Sequence, residues 1–110
     1  MVSRLTAERF AVYLVRLDPT VGAEIRKTRP CVVVSPDVMH RHVHTVIIAP
    51  LTGSITRFPT RVPSTFGGKS GEIALDQLRA VDASRLGRRL GRIDPATTHA
   101  LTQSLAELFA

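Results

Sequence analysis

The fold of this chain is indicated first by Pro30-Cys31-Val32-Val33-Val34-Ser35, a continuous apolar run. A run of this length without alternating polar residues is typical of a strand that is buried on both faces. The same pattern returns in Thr45-Val46-Ile47-Ile48-Ala49-Pro50-Leu51, after the turn signal Ser35-Pro36-Asp37. We therefore expect two fully buried strands in the middle of a sheet.

Weaker strand patterns lie on either side of these runs. The segment Ala11–Leu17 is rich in β-branched and aromatic residues, which favours a strand. The segment Glu72–Leu78 alternates polar and apolar residues and predicts a half-buried strand. Residues 57–62 are expected to form an edge strand, because Pro59 cannot donate a hydrogen bond to a ladder. The Gly- and Ser-rich segment 63–71 is predicted to be a mobile turn region.

A C-terminal helix has the clearest start signal in the sequence. Asp94-Pro95 joins a capping acid to a proline, which suits the first helical position. Leu101, Leu105 and Leu108 then follow at i, i+4 and i+7 on one face. Short strands and one terminal helix in 110 residues predict a mainly β fold, a small and strongly bent barrel with the helix packed on it. The length fits a single domain over residues 1–110.

Charge gives the first indication of function. The chain carries 15 Lys and Arg against 9 Asp and Glu, a net charge of +6, and its only lysines are Lys27 and Lys69. Basic domains attract nucleic acid, acidic proteins and anionic membranes, and Arg suits bidentate phosphate recognition. A GC-rich genome, which encodes Arg by default, explains the same bias, and the composition leaves both explanations open.

The cysteine content and the lack of long apolar segments indicate the cellular compartment. The single cysteine, Cys31, excludes an internal disulfide and a cysteine-built zinc site, and its apolar surroundings indicate a small core residue. The longest apolar run is too short to span a bilayer, and the first ten residues lack the apolar stretch of a signal peptide. We therefore expect a cytoplasmic protein that does not associate with membranes.

Common catalytic motifs do not occur in the sequence, which has no GxxxxGK phosphate loop, no GxGxxG and no nucleophile elbow. His40, His42 and His44 alternate, and an extended strand would present them on one face as metal ligands. No carboxylate stands at matching spacing. A polar loop with exposed histidines is therefore the interpretation that we favour.

Two polar loops adjoin the predicted central strands. Residues 22–30 place three cations and Glu24 in front of the first strand, and Thr52-Gly53-Ser54 follows the second. A loop acid and loop cations are usually solvated surface, but Arg29 abuts Pro30 and a core strand, so its backbone is expected to be rigid. If the two strands are neighbours in the sheet, the two loops converge at one rim.

Five blocks of the sequence resemble, in order and spacing, the MazF/PemK family of toxin endoribonucleases. The blocks are Leu17-Asp18-Pro19-Thr20, Gly22-Ala23-Glu24-Ile25-Arg26-Lys27-Thr28-Arg29-Pro30, Val32-Val33-Val34-Ser35-Pro36-Asp37, Ala49-Pro50-Leu51-Thr52 and Asp76-Gln77-Leu78-Arg79-Ala80-Val81-Asp82. Each block alone is a weak signal, but five in order across most of the chain are specific.

The resemblance implies an SH3-like barrel with a C-terminal helix that works as a homodimer, with RNA grooves along the dimer interface. It implies cleavage of single-stranded RNA, commonly mRNA, at a short sequence and without a metal or other cofactor. Attack by the ribose 2′-OH would give a 2′,3′-cyclic phosphate and a 5′-OH. A cognate antitoxin that occupies the same grooves is the implied protein partner.

The resemblance also implies roles for individual residues. The catalytic arginine of the family falls on Arg29 and its catalytic threonine on Thr52. Glu24 matches a position that matters for activity or RNA contact, as a general base or as an acid that orders its loop. The residues expected to contact RNA, from the two loops and the Asp-Gln block, are Arg26, Lys27, Ser54, Arg57, Asp76, Gln77 and Arg79.

Two positions depart from the family pattern. Arg9-Phe10-Ala11-Val12 stands where the family has Arg-Gly and an acid, so Phe10 replaces a residue that permits close backbone approach. His40 stands where an Asn after Met is frequent. The first departure keeps a second hypothesis open, that of a catalytically weak or inactive member that binds RNA or antitoxin without cutting.

Overall fold

The fold is a bent antiparallel sheet with one long helix, in a computed structural model that describes residues 7–19, 21–25 and 27–110. The strands are β1 (Ala11–Arg16), β2 (Thr28–Val33), β3 (Thr45–Thr52), β4 (Arg61–Phe66), β5 (Lys69–Ala74), β6 (Arg79–Asp82) and β7 (Leu86–Arg92). The helices are α1 (Asp37–His40) and α2 (Pro95–Leu108), and 3₁₀ turns lie at Leu75–Gln77 and Ala83–Arg85.

Across the described ranges the strand order is β4-β5-β3-β2-β1-β7, and β6 pairs with β3 beside this path. The two predicted central strands, β2 and β3, are direct antiparallel neighbours, with Cys31 opposite Pro50 and Val33 opposite Ile48. The loop before β2 and the loop after β3 therefore meet at one end of the sheet.

The central strands are buried on both faces because each face packs into its own hydrophobic cluster. In β2, Cys31 and Val33 belong to the first cluster, and Val32 belongs to the second. Leu101 of α2 is fully buried in the second cluster, so the helix covers that face of the sheet. The unbroken apolar runs of the sequence are the consequence of this two-sided burial.

Cys31 lies in the first cluster, as predicted for a small core residue. Burial raises the pKa of its thiol to about 12, although the positive charge of Arg79 acts in the opposite direction. A thiol with so high a pKa stays protonated at neutral pH and is a poor nucleophile.

Helix α2 begins where Asp94-Pro95 predicts. The carboxylate of Asp94 accepts a hydrogen bond from the N–H of Thr97 at 2.7 Å, and this bond lowers the pKa of Asp94. Leu105 packs partly buried against the second cluster, as the spacing predicts, whereas Leu108 is 38% exposed. The predicted fold class, mainly β with a C-terminal helix, is confirmed.

The predicted mobile turn at 63–71 is wrong, because this segment belongs to a hairpin. Strands β4 and β5 pair from Arg61 opposite Ala74 to Phe66 opposite Lys69, around the two-residue turn Gly67-Gly68. The predicted edge strand at 57–62 begins only at Arg61, but β4 does lie at the edge of the sheet. An edge strand tolerates Pro63 within β4, although a proline in this sequence context usually indicates a turn.

The alternation predicted for Glu72–Leu78 is also wrong. Glu72, Ile73, Ala74 and Leu75 are all buried, and β5 ends at Ala74, where the 3₁₀ turn takes over. Glu72 therefore points into the protein, and its partners there are part of the site described below.

The loop interpretation of the histidines is correct for His42 and His44, which are exposed, and wrong for His40. His40 is buried, with Nε2 at 2.6 Å from Ser35 Oγ and Nδ1 at 3.1 Å from the carbonyl oxygen of Ala7. Among the described residues, no group of three or more His, Cys, Asp or Glu could hold a metal ion. In the same part of the chain, no helix has the length and apolar character that crossing a membrane requires.

Candidate active site

A groove of about 700 Å³ opens at the ends of β2 and β3. The β4–β5 hairpin forms a second wall, and β7 contributes a third. The polar and charged side chains that line it are Arg29, Thr52, Ser64, Lys69, Ser70, Glu72 and Arg88. Arg29 and Thr52, the two residues that the sequence singled out most strongly, thus line the same groove.

The register of the sheet accounts for this meeting of Arg29 and Thr52. Cys31 pairs with Pro50, and Arg29 and Thr52 stand two residues further along the same two strands. The β2–β3 ladder ends at Cys31 and Pro50. Because antiparallel strands advance in opposite sequence directions, Arg29 and Thr52 both lie just beyond that end of the ladder, at the same end of the sheet. The convergence of the two polar loops at one rim is a consequence of this pairing.

The backbone of Arg29 is held by a strand partner and by a side-chain hydrogen bond. It pairs with Val15 of β1, and its carbonyl oxygen accepts a hydrogen bond from the Cys31 thiol at 3.5 Å. The residue is exposed at the rim of the groove. An exposed guanidinium on a fixed strand can present two parallel N–H donors to a phosphate.

Thr52 is the last residue of β3 and pairs with Glu72 of β5. Its hydroxyl oxygen accepts a hydrogen bond from the backbone N–H of Ser54 at 3.2 Å. Because a threonine hydroxyl both donates and accepts, this oxygen can still donate its hydrogen to a ligand oxygen in the groove.

Lys69 and Arg88 are groove residues that the sequence reasoning missed. Lys69 opens β5, in the hairpin whose glycines and serines predict a mobile turn instead. Arg88 lies in the run Arg88-Arg89, a recognisable basic signal that does not tell which side chain faces the groove. Together with Arg29 they give the groove three cations, which attract a polyanion.

Glu72 is the one carboxylate among the described residues that line the groove, and it is only 2% exposed. Its oxygens accept hydrogen bonds from the N–H of Thr56 at 3.1 Å, the hydroxyl of Thr56 at 3.0 Å and the N–H of Arg57 at 2.9 Å. Burial raises the pKa of Glu72, but these hydrogen bonds and the charge of Arg61 outweigh it, and the resulting pKa is lowered. The carboxylate is therefore ionised and already satisfied from inside the protein.

Four other predicted site residues line a separate depression of about 160 Å³, namely Glu24, Asp76, Gln77 and Arg79. The Gln77 side-chain oxygen accepts a hydrogen bond from the N–H of Ile25 at 3.4 Å, and the Glu24 carboxylate accepts one from the N–H of Val21. Glu24 thus does not line the groove that contains Arg29 and Thr52.

Asp76 and Arg79 have partners within the fold. The Asp76 carboxylate accepts hydrogen bonds from Arg61 Nε at 2.7 Å and Nη2 at 3.1 Å, and one from the Thr60 hydroxyl at 3.1 Å. The bond from Arg61 is the main cause that lowers the pKa of Asp76. Arg79 donates to the carbonyl oxygen of Leu17 at 2.8 Å.

The remaining predicted RNA contacts are scattered. Ser54 and Arg57 are exposed on the loop after Thr52, and Lys27 lines a third depression of about 500 Å³ together with Arg16 and Arg85. Arg26 lies outside the described residues.

The departure at Phe10 does not reach the groove. Phe10 has φ +69°, the left-handed region in which glycine is favoured, and this explains a glycine in the family pattern there. Its side chain packs against the second hydrophobic cluster, and the guanidinium of Arg9 lies 4.7 Å from its ring centroid. Phe10 is thus a packing residue of the second cluster and is not among the residues that line the groove.

Known proteins resemble this chain over most of its length. A family model described as PemK-like, MazF-like toxin of type II toxin–antitoxin system matches residues 8–109. Over 92 residues the chain is 34% identical to endoribonuclease PemK of Escherichia coli, covering 78% of this chain and 69% of PemK. Over 96 residues it is 31% identical to endoribonuclease EndoA of Bacillus subtilis, covering 82% of this chain and 83% of EndoA.

Solved structures show the same similarity. An endoribonuclease from a mycobacterial species, in complex with its cognate antitoxin, superposes with a TM-score of 0.78 at 25% identity, covering 93% of each chain. MazF from Deinococcus radiodurans superposes with a TM-score of 0.80 at 22% identity, covering 93% of this chain and 94% of that one. The latter likeness concerns the fold alone.

Proposed function

Since the chain belongs to the PemK-like, MazF-like family of type II toxin–antitoxin toxins, we propose that it is a toxin that cleaves single-stranded RNA. The substrate is mRNA in the cytoplasm, cut at a short sequence and without a metal ion. The observation that carries this proposal is the presence of Arg29 and Thr52 in one cationic groove.

The chemistry uses a nucleophile that RNA itself supplies. The 2′-OH attacks the adjacent phosphorus, its proton is removed, and the bond from phosphorus to the 5′-oxygen breaks as that oxygen gains a proton. The products are a 2′,3′-cyclic phosphate and a 5′-OH. The enzyme must hold the RNA backbone in line and stabilise the extra negative charge on the phosphorane.

Arg29 serves the second of these tasks. Its planar guanidinium donates two hydrogen bonds to the non-bridging oxygens and keeps its charge at every working pH. A fixed donor of this kind supplies about 3–4 kcal/mol of transition-state stabilisation, as the removal of oxyanion-hole donors shows.

Thr52 and its turn complete the phosphate site. The Thr52 hydroxyl donates to a non-bridging oxygen or orients the 2′-OH, while the N–H of Ser54 holds the hydroxyl oxygen. Lys69 and Arg88 neutralise neighbouring phosphates in the same groove.

Of the two roles considered for Glu24, general base and loop-ordering acid, we assign it the second. Its carboxylate holds the N–H of Val21 within its own loop, and it lines the smaller depression with Gln77. A general base needs to lie within hydrogen-bond reach of the 2′-OH, directly or through one water. Beyond the groove, the RNA chain passes toward this smaller depression and toward the exposed side chains of Lys27, Ser54 and Arg57.

We further propose a homodimer that is inhibited by a cognate antitoxin in the same groove. Leu108, Phe109 and Val38 are exposed apolar side chains, and Phe109 lines an apolar depression together with Leu105 and Ile47. Exposed apolar side chains and an apolar depression of this kind are typical of a protein interface. A cationic groove suits an acidic antitoxin segment as well as it suits RNA.

The test is cleavage of a long RNA in the presence of EDTA, with both new ends identified chemically. We expect a 2′,3′-cyclic phosphate and a 5′-OH at recurring short sequences. Arg29→Ala should abolish cutting, and Thr52→Val should slow it far more than Thr52→Ser, which keeps the hydroxyl.

Arg41→Ala is the matched control, because Arg41 is exposed and stands apart from the groove. Undiminished cutting by Arg29→Ala would refute the assignment. Tight RNA binding by the wild-type protein without any product would select the alternative, a binding module that has lost catalysis.

A further inference from the structure

Glu72 is a buried charge whose purpose is not explained by packing. A carboxylate removed from water is costly unless it is fully hydrogen-bonded, and an apolar residue would fill this core position at lower cost. Here the carboxylate is 2% exposed, and its partners are the backbone and side chain of the loop that connects β3 to β4.

The loop binds Glu72 as a backbone nest binds an anion. Two successive N–H groups, those of Thr56 and Arg57, point at the carboxylate, and Arg57 has φ +61°, in the left-handed region. Consecutive N–H groups around a left-handed residue form a concave anion site. The conformation of the loop and the charge of Glu72 therefore stabilise each other.

A second anchor holds the far end of the same loop. Arg61 is 12% exposed and lies between two carboxylates, bidentate to Asp76 and 3.8 Å from Glu72. Thr60 donates its hydroxyl to Asp76. Residues 56–61 are thus fixed at both ends, and the shorter stretch from Thr52 to Thr56 is left between β3 and the first anchor.

That short stretch contains the turn that holds the Thr52 hydroxyl. Ser54 donates its N–H to Thr52 Oγ1, and Thr56, two residues later, is already bound to Glu72. Glu72 also pairs directly with Thr52 across β3 and β5. Glu72 therefore constrains Thr52 in two ways, through the strand pairing of β5 with β3 and through the loop that follows Thr52.

We propose that Glu72 is a positioning residue for the Thr52 hydroxyl, acting through the nest formed by Thr56 and Arg57. The inference rests on the proposed nuclease function. Glu72 does not touch the RNA, since both of its oxygens are engaged by the loop. Its contribution is to the rate of the chemical step and not to RNA affinity.

The first test compares Glu72→Gln with the wild-type chain in kinetics on a mapped RNA substrate. The variant keeps the size of the side chain but offers an amide N–H₂ where the loop needs an acceptor. We expect kcat to fall about 100-fold and KM to stay within about threefold, since a misplaced group costs rate more than binding. Equal losses in binding and rate, or no loss in a folded variant, would overturn the proposal.

A gentler pair of variants serves if Glu72→Gln does not fold. Thr56→Val removes the hydroxyl bond to Glu72 at constant shape, together with the longer bond that the hydroxyl accepts from the N–H of Phe58 at 3.4 Å, and Thr56→Ser keeps both. We expect kcat to fall about tenfold in the first and to stay within about threefold in the second. Identical kcat values for the two variants would contradict the role of the nest.

Hydrogen exchange separates this inference from the proposed function. The amides of Thr56 and Arg57 should exchange at least about tenfold faster in Glu72→Gln than in the wild type. If the wild type cuts no RNA, the nuclease proposal fails, and this exchange measurement still decides whether Glu72 holds the loop. Unchanged exchange would overturn the inference whatever the activity.

Discussion

Gly71 lies so close to Thr52 that a Cβ at position 71 would overlap the Thr52 carbonyl oxygen and stand 3.1 Å from its carbonyl carbon. The two residues belong to paired strands, and Glu72, the next residue in β5, is the register partner of Thr52. Backbone cannot yield as the end of a flexible side chain does. The glycine is therefore required by the close approach of β5 to the residue that we place at the reaction centre.

The substitution Gly71→Ala should separate β5 from Thr52. We expect a fall in kcat of about 100-fold, because a displacement of about 1 Å at a reacting group costs that much. The free energy of unfolding should fall by about 1–3 kcal/mol, as in other overpacked sites. Steady-state RNA cleavage and urea denaturation measure the two effects.

Thr65→Ala is the control for this substitution, because Thr65 is exposed on the same hairpin and does not line the groove. It should leave both quantities near their wild-type values. A Gly71→Ala protein with full kcat would show that the position of Thr52 does not depend on the close approach.

The parts of the fold that could be predicted from sequence are those governed by local pattern. The central strands are recognisable because two-sided burial demands unbroken apolar runs, and α2 is recognisable because Asp94 and Pro95 satisfy the first turn. The β4–β5 hairpin is not predicted, because proline and glycine in a short segment usually indicate a turn. In this fold Pro63 lies in the edge strand β4, Gly67 and Gly68 form the tight turn, and Gly71 allows the close approach to Thr52.

The candidate site was predictable only in part for a related reason. Arg29 and Thr52 adjoin recognisable strands, so antiparallel pairing predicts their meeting once the strands are neighbours. Glu72 is buried because two N–H groups reach it from a loop that lies about fifteen residues earlier in the sequence. The local sequence around Glu72 gives no sign of such a distant partner, and the alternation of polar and apolar residues in Glu72–Leu78 therefore predicts, wrongly, that Glu72 is exposed.

Phe10 offers a test of backbone strain that is independent of RNA. A non-glycine residue at φ +69° is disfavoured by about 1–2 kcal/mol. Phe10→Ala removes the packing and keeps the strain, whereas Phe10→Gly removes both. We therefore expect Phe10→Gly to be more stable than Phe10→Ala by about 1 kcal/mol, the reverse of the usual order at positions with negative φ.

Urea denaturation of the two Phe10 variants measures this difference directly. Both should cut RNA with the same kcat, because Phe10 packs on the second hydrophobic cluster and does not line the groove. Greater stability of the alanine variant would show that position 10 carries no such strain.

Lys69 and Arg88 should act on RNA binding through charge. Each phosphate that a cation neutralises on single-stranded RNA contributes about 0.7 to the slope of log affinity against log salt. Lys69→Gln and Arg88→Gln should each raise KM and lower that slope by about this amount, with little change in kcat. Cleavage kinetics across a salt series make the measurement.

Arg41→Gln is the matched control for the salt series, because it removes an exposed charge that stands apart from the groove. Its slope should equal that of the wild type. If all three variants shift the slope equally, the effect comes from net charge, and the groove is not the path of the RNA.

The ion pair of Asp76 with Arg61 predicts a pH dependence of stability. The hydrogen bond from Arg61 lowers the pKa of Asp76 below its ordinary value of 3.8. A carboxylate whose pKa is lowered on folding contributes stability above its unfolded pKa and loses it as the pH falls through its folded pKa. At pH 7, Asp76→Asn should therefore reduce the free energy of unfolding by about 1–3 kcal/mol, since it leaves the largely buried Arg61 without its bidentate partner.

The difference between the wild type and Asp76→Asn should narrow only below about pH 4, where Asp76 begins to take up its proton in the unfolded wild-type chain, and it should close as the pH falls through the lower folded pKa. Urea denaturation at a series of pH values follows this convergence. Asp82→Asn is the comparison, because the pKa of Asp82 is also lowered, chiefly by its hydrogen bonds with Ser84, and Asp82 has no contact with Arg61. A gap for Asp76→Asn that stays constant down to the lowest pH would mean that the negative charge of Asp76 is not the source of the stability difference.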